Sequence, residues 1–181
     1  MLLAQWLLGG RMSEDPAAIL LGLIDELVAN SPEFGPVKGP GKGNVATNAL
    51  MRDLRHAATR TFGVDHSEQK ICGDNTSLAV DFYFSKAATV VEVALGLGNP
   101  ATEFEKDILK ALMAKELGHA VQRLVLISRP GAGKKCRQPG RRAIIEWVRQ
   151  KHDVAIDVRE IAGEPRPRRQ RRKIAVASTT S

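Results

Sequence analysis

The chain of 181 residues is short of several things that would narrow its function at once. Cysteine is limited to Cys72 and Cys136, with no Cys-x-x-Cys spacing and no histidine partner, which argues against a disulfide framework or a structural zinc site and for a reducing, cytoplasmic setting. Aromatic residues make up only 4% against a hydrophobic fraction of 43%, so an aliphatic core is expected and base-stacking platforms are not. Long apolar runs are missing too. Met1 to Leu8 is too short to cross a bilayer and has no basic leader, and the next apolar stretch is interrupted by Asp25 and Glu26, so neither a secretory signal nor a membrane span is expected.

Charge is present in quantity and unevenly placed. Of the net +7, residues 164–173 supply +5, from six basic side chains against Glu164, which leaves +2 for the rest. Arg129, Lys134, Lys135, Arg137, Arg141 and Arg142 form a second basic cluster, so the remaining body is net acidic. Such segregation suits a polyanion met by one loop and one tail; a solvated surface is the plainer alternative.

The length suits one domain, expected over residues 1–162, followed by a basic disordered tail over 163–181 whose few apolar residues cannot offset the entropy of ordering it. Asp15-Pro16 has the form of an N-cap and first helical residue, and Ile19, Leu20, Leu23, Ile24 and Leu27 follow at helical spacing. Prolines and glycines over 31–43 predict an exposed connection. A second helix is expected over 44–62, with Gly63 as its stop and Arg52, Arg55, His56 and Arg60 on its polar face. Strands are expected near 68–72, 78–84 and 88–95, a helix from the Thr102/Glu105 capping box to Leu117, a buried strand over 121–128, a helix opening at Pro139, and a last strand at Val154, Ile156 and Val158. This order predicts an α/β fold, a mixed five-stranded sheet flanked by helices, in which the strands at 88–95 and 121–128 run parallel.

A hairpin with a two-residue loop at Lys86-Ala87 sets Asp81 opposite Glu92 on one face, with Val80, Phe82, Val91 and Val93 making an apolar opposite face. On that reading the acids sit where the sheet need not be dry. Two neighbouring carboxylates raise each other's pKa unless a cation lies between them, and oxygen ligands of this kind suit a hard divalent ion, Mg2+ or Mn2+. The alternative is a pair of partly exposed strand acids with Lys or Arg neighbours.

Val80-Asp81, a short turn and Val91-Glu92-Val93-Ala94 resemble the core hairpin of the PD-(D/E)xK nuclease superfamily. Glu92-Val93-Ala94-Leu95-Gly96, then Asn99 and Asp107-Ile108-Leu109-Lys110, are similar to the corresponding strand and helix of restriction endonucleases of the BglII and BamHI kind. The resemblance covers residues 44–130. It implies a restriction-endonuclease-like core and a metal-dependent endonuclease that hydrolyses DNA phosphodiester bonds, with Asp81, Glu92 and the backbone carbonyl of Val93 holding Mg2+ or Mn2+. Ala94 departs from the pattern, standing where the family usually has Lys, and Val80 replaces the proline before the first acid. Lys106 and Lys110 lie on the following helix; Lys110 is the preferred substitute, and an ion-pair face of Glu103, Asp107 and Lys110 is the alternative. Glu68, Asp74 and Asn75 lie near enough in the chain to reach such a site, although ordinary turn or edge roles account for them.

Arg52, Arg55, Lys134, Lys135, Arg137 and Arg141 are the candidate nucleic-acid contacts, with DNA the expected partner, RNA still open, a homodimer a further expectation, and no membrane. Arg129 to Lys135 has the outline of a phosphate-cradling loop after a strand, but Ser128 and Lys135 replace its defining residues, so nucleotide hydrolysis is not expected. Against the nuclease stands a second class of function: a catalytically inactive nuclease fold that binds nucleic acid or a protein partner, which Ala94 would explain.

Overall fold

A computed structural model of the chain describes residues 15–31, 42–73, 78–95 and 103–163. The tail beyond residue 163, the turn at Asp74 and Asn75, and the positions of Gly96, Asn99 and Thr102 lie outside the described residues.

Helix α1 (Pro16–Ala29) begins as its sequence predicts: Asp15 caps it by accepting the Ala17 N–H at 3.1 Å, and Pro16 occupies the first position. Helix α2 (Lys42–Phe62) ends at Gly63, which has the left-handed φ of +72° that glycine tolerates. Strand β1 (Ser67–Gln69) is shorter than expected. Strands β2 (Val80–Phe84) and β3 (Thr89–Val93) follow, then helix α3 (Glu103–Glu116) and strand β4 (Arg123–Ser128). A short helix α4 (Ala132–Cys136), absent from the sequence-based expectation, precedes α5 (Pro139–His152) and strand β5 (Ala155–Glu160).

The sheet has the order β1-β2-β3-β4-β5, antiparallel through β3 and parallel from β3 to β5. β4, paired on both sides, is buried almost end to end, as its apolar sequence demands, whereas β5 on the edge is only half covered. Ala17, Leu20 and Ile24 of α1 and Leu50, Leu54 and Ala58 of α2 cover one face over Phe82, Val91, Val125 and Ile127. Phe104, Ile108, Ala111 and Ala114 of α3, with Cys136 and Val148, cover the other over Val90, Leu124 and Leu126. Among the described residues, no helix is long and apolar enough to cross a membrane.

The β2–β3 hairpin keeps the expected register, with Phe82 paired to Val91, but its connection is longer than two residues. Ser85–Ala87 form a single 3-10 turn, and Ala88 leaves it with φ +46°. At the other end the ladder stops at the Phe82–Val91 pair. Beyond it the expected alternation fails: Val93 packs against the α1/α2 layer, but Val80 packs on the α3 side. Only the β2–β3 pairing ends there, since Val80 stays paired with Gln69 and Val93 with Ile127, and across the gap the Val93 N–H is taken at 2.8 Å by the Asp81 carboxylate instead of a backbone carbonyl.

Candidate active site

Asp81 and Glu92 stand at this open end of the hairpin. Asp81 is half-buried and lines a cleft of about 410 Å³ together with Val93, Glu68 and the α2 residues Thr47, Asn48, Met51 and Arg55. Glu92 lies beneath α3, where only 2% of it is exposed. The expectation that both acids share one undry face is therefore corrected: Asp81 opens onto the cleft on the α2 side, whereas Glu92 lies on the α3 side, roofed by that helix.

What roofs it is charged. Lys110 Nζ lies 2.6 Å from Glu92 Oε1 and 3.0 Å from Asp107 Oδ1, and donates to the Ala79 carbonyl at 3.4 Å. Lys110 and Asp107 are both buried, so the solvated ion-pair face considered for Glu103, Asp107 and Lys110 is not what forms; only Glu103 faces water. The contact with Glu92 is a close charge pair, in which the Lys110 ammonium is the partner of Glu92 Oε1. Cys72 packs beside it, its thiol donating to the Lys110 carbonyl at 3.2 Å, and burial pushes that thiol above its ordinary pKa.

The titration of the cluster follows from burial and from the ratio of acids to bases. Burial pushes the Glu92 carboxyl well above its ordinary range, and the charges of Asp81 and then Asp107 add to the rise, against the pull of Lys110. Burial likewise carries Asp107 up to about 6 despite its contact with Lys110. For Lys110 burial works downward, but Glu92 and Asp107 outweigh it and its pKa is raised, so the ammonium persists. Asp81 is thus near enough to Glu92 and Asp107 for its charge to be felt by both.

Asp107 is the member that sequence reasoning passed over. A signal was available: Asp107 and Lys110 fall inside the stripe of Phe104, Ile108, Ala111 and Ala114 at three- and four-residue spacing, so both had to face the core.

The candidate nucleic-acid contacts fall into two groups. Arg52 is exposed and paired with Asp53 at 3.0 Å, and Arg55 lines the cleft and pairs with Glu68. Lys134, Lys135 and Arg137 belong to α4 and its C-cap, while the Arg141 guanidinium lies 4.9 Å over the Phe104 ring. This second group follows directly on β4, whose Ser128 hydroxyl donates at 2.7 Å to the carbonyl of Ala94, two residues after Glu92. The loop's own N–H groups are spoken for: Gly131 and Gly133 donate to the Glu160 carboxylate at 2.8 and 2.7 Å. That carboxylate fills the place a phosphate would take in a nucleotide-binding loop, in line with the failed match at Ser128 and Lys135.

Among the described residues, no three His, Cys, Asp or Glu side chains form a ready-made metal cluster. A magnesium-like ion of the kind that keeps most of its waters would draw on Asp81 at the cleft and on Glu92 beneath α3; what suits a cation there is the excess of acid over the single ammonium of Lys110. Compared with protein-family models, curated proteins and solved structures, the chain matches none.

Proposed function

We propose that the chain is a metal-dependent endonuclease with a restriction-endonuclease-like core, which hydrolyses DNA phosphodiester bonds using Mg2+ or Mn2+ held by Asp81, Glu92 and the Val93 carbonyl. The observation that carries the proposal is a charge deficit. Three carboxylates, Asp81 at the cleft and Glu92 and Asp107 buried under α3, lie about a single ammonium, Lys110. A hard divalent cation makes up the difference, and its charge equals that of the two unmatched acids. When bound, such an ion supplies a Lewis acid for the phosphate and acidifies water.

The side chains divide the remaining work. Asp81 and Glu92 bind the ion, and the hydrogen bond from the Val93 N–H holds Asp81 at the cleft while Lys110 holds Glu92 beneath it. Lys110 stands in for the lysine missing at position 94, reaching Glu92 from α3, and Asp107 fixes its ammonium. Arg52, Arg55, Lys134, Lys135, Arg137 and Arg141 supply contacts to the backbone of DNA in the cytoplasm, and an enzyme that cuts both strands would work as a homodimer. The sheet order and the helices on both faces support the core assignment.

Plasmid cleavage with Mg2+ or Mn2+ tests the proposal. Asp81→Ala and Glu92→Ala are expected to lose cleavage by orders of magnitude while remaining folded, because transition-state stabilisation worth several kcal/mol goes with either ligand. One observation favours a non-cutting protein that binds nucleic acid or a protein partner: Lys110, in contact with both Glu92 and Asp107, serves as their counter-ion without any metal. If the wild type cuts neither DNA nor RNA with either metal but still binds them, that second reading holds.

A further inference from the structure

The Arg55–Glu68 ion pair joins α2 to β1 within the lining of the cleft onto which Asp81 opens. Each partner is left in a costly condition. Arg55 Nε is buried without a hydrogen-bond acceptor, so one arm of a guanidinium fork built for two parallel bonds to a carboxylate or phosphate is unsatisfied. Glu68 has φ +46°, the left-handed region that a side-chain-bearing residue enters at a cost on the order of 1 kcal/mol. Packing does not explain that conformation, because the Glu68 side chain is 61% exposed. Its neighbours do hold the backbone: Asp65 accepts both the Ser67 N–H and hydroxyl, at 2.8 and 2.7 Å. What the conformation achieves is to set one exposed carboxylate against Arg55, with Asp81 and Val93 in the same cleft.

We propose that Arg55 is the residue that holds a substrate phosphodiester in this cleft, and that the Glu68 carboxylate is a built-in competitor which the phosphate displaces. The identity of the ligand rests on the nuclease reading above; the displacement goes beyond it. A phosphate presents the fork with two oxygens in the geometry it prefers, and once Glu68 swings out the guanidinium can turn its buried Nε edge toward the ligand. Phosphate held there lies in the cleft that Asp81 lines, and its own charge repels Glu68 outward. Glu68 thus keeps Arg55 from gathering stray anions and makes binding depend on a ligand able to use both arms.

Anisotropy of a short fluorescent DNA duplex, titrated with the full chain in EDTA so that nothing is cut, tests this. Glu68→Gln is expected to tighten binding several-fold, and Arg55→Gln to weaken it about tenfold, the scale of one charge-assisted hydrogen bond. In the Arg55→Gln background, Glu68→Gln is expected to change nothing further. Arg55→Lys, which keeps the charge and loses the fork, should also weaken binding and serves if Arg55→Gln melts early. Tightening by Glu68→Gln that survives in the Arg55→Gln protein would reflect net charge alone and overturn the proposal, as would no tightening at all; in either case DNA binding and cleavage by the wild type keep the nuclease reading intact. A wild type that neither binds nor cuts DNA brings down both.

Discussion

Asp15, Asp157, Arg123 and Arg159 make one network of acid and base; Glu92, Asp107 and Lys110 make another, and the acids of the two titrate in opposite directions. In the first, burial pushes Asp15 and Asp157 upward, but hydrogen bonds from Arg159 and Arg123, with the Ala17 N–H for Asp15, outweigh it and hold both acids below their usual range. In the second, burial wins. Two differences explain this. The first network matches two carboxylates with two guanidiniums and keeps 20–41% of each side chain in contact with solvent. The second gives two acids, and Asp81 beside them, a single ammonium at 7% exposure. The first therefore serves as a clamp that ties the start of α1 to β4 and β5, whereas the second retains an electrostatic debt. Perturbed acids collected at one place mark functional sites more often than clamps, though structural ion networks also perturb.

The largest expected difference between the two networks appears when each loses a cation. Lys110→Met leaves Glu92 and Asp107 buried without a partner, and a loss of about 3–5 kcal/mol in unfolding free energy is expected. Arg159→Met leaves Arg123 in contact with both Asp15 and Asp157, so about 1 kcal/mol is expected. Urea denaturation at neutral pH measures both. Equal losses would mean that the Lys110 cluster is also an ordinary clamp.

Much of the fold could be read from the sequence because local rules decide it. Asp15-Pro16 and Pro139 open helices for local backbone reasons, and a hairpin centred on Lys86-Ala87, with alternation excluding one-residue slips, led to the Phe82–Val91 register. Helix α4 escaped because five residues of Ala-Gly-Lys-Lys-Cys carry no period to detect; its first turn is held from a distance by Glu160. The twist at Val80 also escaped, since alternation presumes a continuous ladder and that between β2 and β3 ends two positions earlier, at Phe82–Val91. At the site, the hairpin pattern singled out Asp81 and Glu92, but neither the roof over Glu92 nor the opening of Asp81 toward α2 could be read from it. Lys110 was singled out for the lysine missing at position 94, with a surface ion-pair face as the alternative, and its spacing from Ala114 and Ala111 already placed it beside the buried stripe of α3.

Acid titration separates the networks next. Asp107 rises from 3.8 to about 6 on folding, so between those values the native state holds a proton that the unfolded state has released. Stability from this group is therefore present below pH 3.8 and lost as the pH climbs to about 6, on the order of 3 kcal/mol in all. Glu92, raised for the same reason, works in the same sense. Asp15 and Asp157, with lowered values, stabilise above 3.8 and lose that only as the pH falls further. Between pH 4 and 6 the stability curve should thus fall with rising pH, and Asp107→Asn should flatten it. A curve that rises through this window would show that the Lys110 cluster is fully compensated.

The smallest effect, and the most specific, is that of magnesium. If Mg2+ supplies the missing positive charge beside Asp81 and Glu92, ten times its Kd should stabilise the fold by about 1.4 kcal/mol, or some 3–5 °C in Tm for a domain of this size. The shift should be larger at pH 8 than at pH 5, because at the lower pH a proton already occupies the raised acids and competes with the ion. Glu92→Gln should remove it and Arg159→Met should leave it unchanged, since the clamp has no unmatched acid to offer. A shift that persists in Glu92→Gln places the ion elsewhere on the chain. No shift in the wild type at either pH would mean that Lys110 and a proton suffice for the cluster, and the non-cutting reading would then be the better account of Ala94.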